Sequence, residues 1–344
     1  MSLKHLFFSD YLEGAHPRVM QALSSGNLRQ EKGYGLDRFS LEAAALVRER
    51  IGNKDAAVHF VHSGGMANLV ALGSMLKSYE SIIAPVSAHI HVHEGGALEA
   101  VGHKINLVQS SDGKLTPGDI SAVMEKHIAD EQMVLPKVVA LTHATEVGTI
   151  YKKAEIRQIA GICRKYGLYL FLDGARLASA LASEDADIDL RELSGLLDVF
   201  YIGGTKNGAL LGEAIVINNP ALQTQFRRHM RQRAAYVAKG RLIGIQFVEL
   251  LKDGLYLELA RHANRMAKKL RQGIAAQGYR FLSESSSNLS FPIFPDEIIG
   301  KLQANYGFHA GARIDAGMSA VRLVTSWATP EMAIDDFVAD LKAM

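Results

Sequence analysis

Five short, largely apolar runs separated by stretches of helical periodicity constrain this chain more than any other feature. They are Val58-His-Phe-Val61, Val138-Val-Ala-Leu141, Leu168-Tyr-Leu-Phe-Leu172, Asp198-Val-Phe-Tyr-Ile202 and Ala214-Ile-Val-Ile217. Runs without a polar alternation need cover on both faces, and helical crossovers on a parallel sheet supply it. The pattern predicts an α/β fold with a mostly parallel central sheet. Ser63-Gly-Gly-Met-Ala-Asn68 reads as a strand-to-helix turn, and Gly167 as the stop of a helix ending at Tyr166. Thr116-Pro117 and Thr329-Pro330 each place a capping hydroxyl before a proline suited to the first helical position, predicting two helix starts.

A length of 344 residues corresponds to about two domains. From about Glu249 to Gln277 the chain has a helical pattern rich in Arg, Lys and His, and Asn288–Phe294 and Val321–Val324 read as strands. The expected organisation is an N-terminal segment over 1–15, a large domain over 16–245 and a smaller C-terminal α+β domain over 246–344. Apolar residues at 48% and a formal charge of +2 exclude a disordered chain. The basic residues are scattered, so neither nucleic acid nor an anionic membrane is expected as a partner. Ala56–Leu76 is free of Asp, Glu, Lys and Arg, but its His, Ser, Gly and Asn residues read as strand, turn and helix, not a membrane span. No signal peptide is evident at the N-terminus. The single cysteine, Cys163, shares an apolar helical stripe with Ile156 and Ile159, predicting a buried thiol and fitting a reducing, cytoplasmic setting.

In an open parallel sheet, ligands collect beyond the carboxyl ends of the strands. Three segments should meet there. Ser63-Gly-Gly-Met offers backbone N–H groups at a helix start, a phosphate cradle or a plain turn. Asp173-Gly-Ala-Arg176 offers a carboxylate, either for a cationic ligand or for a structural pair with Arg176. Gly203-Gly-Thr-Lys-Asn-Gly208 offers a lysine, either reactive or simply solvated. Pyridoxal phosphate uses all three, as phosphate cradle, carboxylate at the pyridine nitrogen and Schiff-base lysine. On that reading Gly64, Gly65 and Met66 hold phosphate, Asp173 meets the ring nitrogen, Lys206 binds the cofactor and Thr205 adds a hydroxyl.

These segments, with Ala88-His-Ile-His-Val-His-Glu-Gly-Gly-Ala97 and Thr142-His-Ala-Thr-Glu-Val-Gly-Thr149, resemble the low-specificity L-threonine aldolases. Those enzymes belong to the threonine aldolase and β-eliminating lyase group of fold-type I pyridoxal-phosphate enzymes, which have the aspartate aminotransferase-like fold. The likeness runs from Phe8-Ser-Asp10 to Val321-Arg-Leu-Val-Thr-Ser-Trp327. It implies that His89 stacks on the cofactor ring, that His143 is a second active-site histidine and that Arg322 grips the substrate carboxylate near Ser9 and Arg176. It also implies roles for Tyr34 and Asp37 of a Tyr-Gly-x-Asp segment, and for Arg241 toward a neighbouring subunit's phosphate in a dimer or tetramer. Three positions depart from the common pattern. The phosphate turn reads Ser-Gly-Gly, not Ser-Gly-Thr; Ala144 stands where many relatives have asparagine; and His93 stands where some have tyrosine.

The implied reaction is retro-aldol cleavage of a small β-hydroxy-α-amino acid to glycine and an aldehyde, with His89 or His143 as candidate bases. A β-elimination giving ammonia and a keto acid, or a non-catalytic pyridoxal-phosphate carrier, are the alternatives. No Gly-x-Ser-x-Gly elbow for a serine hydrolase is present. His89, His91 and His93 would share one face of a strand, but no carboxylate or cysteine pattern completes a zinc site, and no metal is expected.

Overall fold

The computed structural model describes residues 3–344. In chain order, β1 (His5–Leu6) is followed by β2 (Ala57–Val61), β3 (Glu80–Pro85), β4 (Ile105–Val108), β5 (Leu135–Thr142), β6 (Tyr169–Asp173), β7 (Val199–Gly203) and β8 (Glu213–Ile217). The last seven form one sheet in the order β2-β8-β7-β6-β5-β3-β4. Only β8 is antiparallel to its neighbours; the pairs from β7 to β4 are parallel. All five apolar runs lie in or overlap strands of this sheet. Helices bury an apolar cluster on each face, one around Ile83, Leu141, Leu172 and Phe200, the other around Val61, Phe171 and Tyr201.

The two strands at one edge of the sheet, β3 and β4, carry polar residues that conceal them from a hydropathy pattern. In β3, Glu80 and Ser81 are buried, and Ser81 Oγ accepts from Asn106 Nδ2 of β4 at 2.8 Å. Glu80 in turn accepts from the Lys77 N–H at 2.8 Å. Satisfied in this way, the polar groups cost little on burial.

The remaining strands, β9 (Leu289–Ser290), β10 (Ile293–Pro295), β11 (Tyr306–Gly307), β12 (His309–Asp315) and β13 (Met318–Val324), build a second layer. Its antiparallel order is β10-β13-β12, with β9 also on β13, while β1 pairs parallel with β11. The segment read as one strand over Asn288–Phe294 is thus divided at Phe291-Pro292, because Pro292 has no N–H to continue a ladder. Phe7, Leu270, Phe294 and Phe337 centre this layer's core. Helix Arg241–Leu251 contains residue 245 and packs on helix Arg38–Ile51 of the first layer; after a kink at Asp253, helix Leu255–Ala275 packs on the C-terminal helix Glu331–Lys342.

Thr116 caps its helix, accepting from Asp119 N–H and forming a reciprocal capping box with Pro117 in the first turn. Thr329 differs from expectation. The last helix starts at Glu331 with Pro330 at the cap, and Thr329 Oγ1 instead accepts from Ser326 N–H at 2.7 Å. Cys163 is buried beside Ile156 and Ile159, and burial pushes its thiol up to about 12. Among the described residues no helix is long and apolar enough to cross a membrane.

Candidate active site

The parallel strands end at a cavity of about 940 Å³, closed on its far side by β12 and β13. Asp173 is the last residue of β6, and Lys206 lies three residues beyond β7. The two strand ends are unusually close: a Cβ at Gly174 would lie 1.8 Å from the Tyr201 carbonyl oxygen. Only glycine allows that approach, which brings Asp173 and Lys206 to one cavity.

Asp173 is buried and held from three sides. Asn68 Nδ2 donates to its Oδ2 at 3.0 Å, the Ala175 N–H to its Oδ1 at 3.0 Å, and the Tyr201 hydroxyl also to Oδ1. Asn68 Nδ2 also donates to Glu94 Oε1 at 2.6 Å, and His89 Nδ1 lies 2.8 Å from that same oxygen. The hydrogen bond to Glu94 raises the His89 pKa, against the effect of burial, and favours its protonated form. His89 and His93 lie on one face of the short helix His89–Val92 and its C-cap, with rings 5.4 Å apart. The strand alternation read for His89, His91 and His93 is therefore replaced by an i, i+4 helical pairing that leaves His91 off the cavity.

Lys206 makes no hydrogen bond or ion pair with the described residues, so its amine is free to react. Its turn is braced beneath it. Glu213 Oε2 accepts from Gly204 N–H at 2.8 Å, Thr205 Oγ1 donates to Glu213 Oε1 at 2.7 Å, and Thr205 Oγ1 accepts from Gly212 N–H at 3.0 Å. The Thr205 hydroxyl is thereby committed within the turn. Burial raises the Glu213 carboxyl to about 7, with the two hydrogen bonds opposing.

Ser63 caps helix Gly64–Met75 by accepting from Met66 N–H at 3.3 Å. Gly64 and Gly65 line the cavity, whereas the Met66 N–H is used by this cap and its side chain packs on the core. Arg176 is clamped by Asp10, with Nε–Oδ2 at 2.7 Å and Nη2–Oδ1 at 3.1 Å, leaving Nη1 at 3.5 Å from Glu146 Oε2. Burial disfavours the Asp10 carboxylate, but Arg176 and Lys206 outweigh it and hold its pKa well below the usual range. Arg322, on β13, donates only to the Phe8 carbonyl at 3.3 Å and has no ion pair among the described residues.

Five expected residues lie elsewhere within this chain. His143 is 1% exposed, accepts from Tyr151 N–H at 3.3 Å and does not line the cavity; burial drops its pKa to about 4. Tyr34 stacks under Arg231 on another surface, with Asp37 capping the helix that follows. Arg241 donates to the carbonyls of Asn27 and Arg29, facing away from the cavity. Ser9 is buried next to Asp10, with no partner for its hydroxyl among the described residues.

Sequence reasoning missed Asn68, Glu94, Glu146, Tyr201 and Glu213. Glu213 stands at the start of an apolar run, the same kind of signal that flags Asp173 at the end of one. Among the described residues no three His, Cys, Asp or Glu side chains converge as metal ligands.

Comparison with known proteins identifies the family and the fold. Residues 7–297 match the beta-eliminating lyase family. Over 341 residues the chain is 33% identical to a low specificity L-threonine aldolase from a Pseudomonas species, covering 98% of this chain and 97% of that one. The solved threonine aldolase of Leishmania major superposes with a TM-score of 0.97 at 42% identity, covering 98% and 99% of the two chains. Aspartate aminotransferase of Thermus thermophilus, 14% identical, superposes at 0.74 over 99% of this chain and 91% of its own, and so shares the fold. The chain belongs to the beta-eliminating lyase family.

Proposed function

We propose that this protein is a pyridoxal 5'-phosphate-dependent aldehyde-lyase. It cleaves L-threonine, L-allo-threonine and related β-hydroxy-α-amino acids to glycine and an aldehyde. The observation that carries the reading is a free lysine amine and a buried, triply held carboxylate facing one cavity, with an unpaired arginine across from them. The threonine aldolase names of the Pseudomonas and Leishmania relatives support it.

The donor set fits this cofactor. Gly64 and Gly65 present a helix start with no side chain in the way, suited to a phosphate. Asp173 would keep a proton on the ring nitrogen, its own orientation fixed by Asn68, Tyr201 and the Ala175 N–H. Lys206 would be the attachment point, and the His89 ring, anchored by Glu94, would lie against the cofactor. When bound, the cofactor supplies an electron-poor ring that takes up the electron pair left on Cα.

The chain's own groups do the rest. Arg322 binds the substrate carboxylate with a planar fork, and Arg176 Nη1 faces the same space while Asp10 fixes the rest of that guanidinium. With the carboxylate anchored, the bond to be broken has one orientation in the cavity. The Glu94 hydrogen bond raises the His89 pKa and favours the imidazolium, which can donate to substrate oxygens. His143 is buried and does not line the cavity, so no step is assigned to it.

The same reading makes the protein a cytoplasmic homo-oligomer, dimer or tetramer, acting on a small amino acid. Leu28 is 93% exposed beside Arg241 and its carbonyl partners, a face suited to a second copy whose phosphate site Arg241 would reach. The direct test is product analysis with L-allo-threonine, with and without added cofactor. Acetaldehyde and glycine in equal amounts are expected. Ammonia with a keto acid would move the reaction to β-elimination, and cofactor binding without turnover of any amino acid would refute the lyase reading.

A further inference from the structure

Retro-aldol cleavage needs a group that accepts the β-hydroxyl proton, and the two histidines expected for that work are poorly placed for it. His143 is sealed in the protein, and His89 Nδ1 is engaged by Glu94 Oε1 at 2.8 Å, a contact that favours the imidazolium. Asp173 already accepts three hydrogen bonds, and both oxygens of Glu213 are occupied by its own turn.

Glu146 differs from all of these. It lies in the loop after β5, where Thr145 and Thr149 close a tight turn by Thr145 N–H to Thr149 O at 2.9 Å and by their hydroxyls at 2.8 Å. Ser283 Oγ and Ser285 Oγ donate to the Val147 and Gly148 carbonyls from the second layer, at 2.7 and 3.1 Å. Pinned from both sides, the turn directs Glu146 into the cavity, its side chain 13% exposed. Among the described residues the carboxylate makes no hydrogen bond, and its one ion-pair partner is Arg176 Nη1 at 3.5 Å. Arg176, Lys206, His89, His93 and Arg322 face it. Burial alone would push its carboxyl up, but Arg176, then Lys206, His89 and Arg322, reverse this and keep it ionised.

From this placement, and resting on the lyase reading above, we infer that Glu146 is a catalytic residue that accepts the proton of the substrate's β-hydroxyl. The O–H bond breaks and its proton moves to a Glu146 oxygen. The electron pair left on the substrate oxygen becomes the second bond of the aldehyde carbonyl. The Cα–Cβ bond breaks and its pair stays on Cα. Cα then takes one proton and Glu146 releases the one it holds, so glycine and aldehyde together contain every atom of the substrate. Among groups of this kind, removal costs about 10²- to 10⁴-fold in rate.

The experiment compares the parent holoenzyme with Glu146→Gln, Glu146→Ala and His93→Asn. It measures cleavage of L-allo-threonine, exchange of the glycine Cα proton in D2O, and cofactor affinity by fluorescence titration. Glycine exchange uses the same cofactor but has no hydroxyl proton to remove. Expected for Glu146→Gln is a fall in cleavage kcat of at least about 100-fold, with glycine exchange and cofactor affinity kept within about 3-fold. Added formate should restore cleavage to Glu146→Ala. Cleavage by Glu146→Gln within about 3-fold of the parent overturns the inference. So does a matching loss of exchange and affinity, or a loss carried by His93→Asn instead. A parent that exchanges glycine but cleaves nothing, or does neither, refutes the lyase reading and not the placement of Glu146 alone.

Discussion

The two walls of the cavity are built to different standards. The floor, at the ends of β6, β7 and β8, is buried, and nearly every polar group there is fixed by a neighbour: Asp173 by three donors, Glu213 by Gly204 and Thr205. The roof is the edge of the smaller sheet. β12 pairs on one side only, its register slips between Ala310 and Arg313 and again before Asp315, and six of its seven residues are exposed. Yet His309–Ala312 and Arg322 from this layer face the cavity. The contrast assigns chemistry to the rigid wall, where preorganised groups act best, and substrate fit to the looser one.

Removing Lys206 probes the floor most severely. Lys206→Ala should abolish borohydride-stable attachment of the cofactor and all detectable turnover, while far-UV circular dichroism stays unchanged; attachment at another lysine would break the assignment. The next effect concerns Glu213, whose native carboxyl sits near 7 against an ordinary 4.5. Between those values the folded state keeps a proton that the unfolded chain has lost, so stability falls as pH rises through that window. The full difference is about 3 kcal/mol. Urea titrations from pH 4 to 8 should show this slope and its removal in Glu213→Gln; an unaltered slope would mean another group titrates there. Smaller still is the effect on the roof. Arg322→Lys keeps the charge and loses the fork, so kcat/KM should fall by about 10- to 100-fold, mainly through KM. A change confined to kcat would place Arg322 in the chemistry and erase the division between the walls.

What the sequence discloses follows the same division. The floor was legible because Asp173 and Lys206 interrupt or follow long apolar runs, and an ionisable group at the end of a buried strand has few reasons to be there. β3 and β4 were concealed by Glu80, Ser81 and Asn106; Ser81 and Asn106 satisfy each other only after the sheet forms, and Glu80 accepts from the Lys77 N–H. Periodicity misled at His89–His93, where alternation fits a strand by count but the chain makes a helical turn. Glu94 and Glu146 carry no local signal, since their importance comes from Asn68, His89 and Arg176, which lie 26, 5 and 30 positions away in the chain and meet them only in the folded cavity. His143 fits the resemblance by motif, yet in the fold it is buried and does not line the cavity.

Asp10 reaches across both walls, gripping Arg176 of the first layer while accepting from Asn288 Nδ2 of the second at 2.9 Å. β1 delivers it there by joining β11, so the start of the chain acts as a rivet through the two halves. Arg176 and Lys206 hold that carboxyl well below the usual range, so acid loosens the rivet later than it would an ordinary carboxylate pair. Breathing of the site that leaves it intact falls to the free edge of the roof, and a fusion partner that pulls on the first residues would strain the enzyme at its centre.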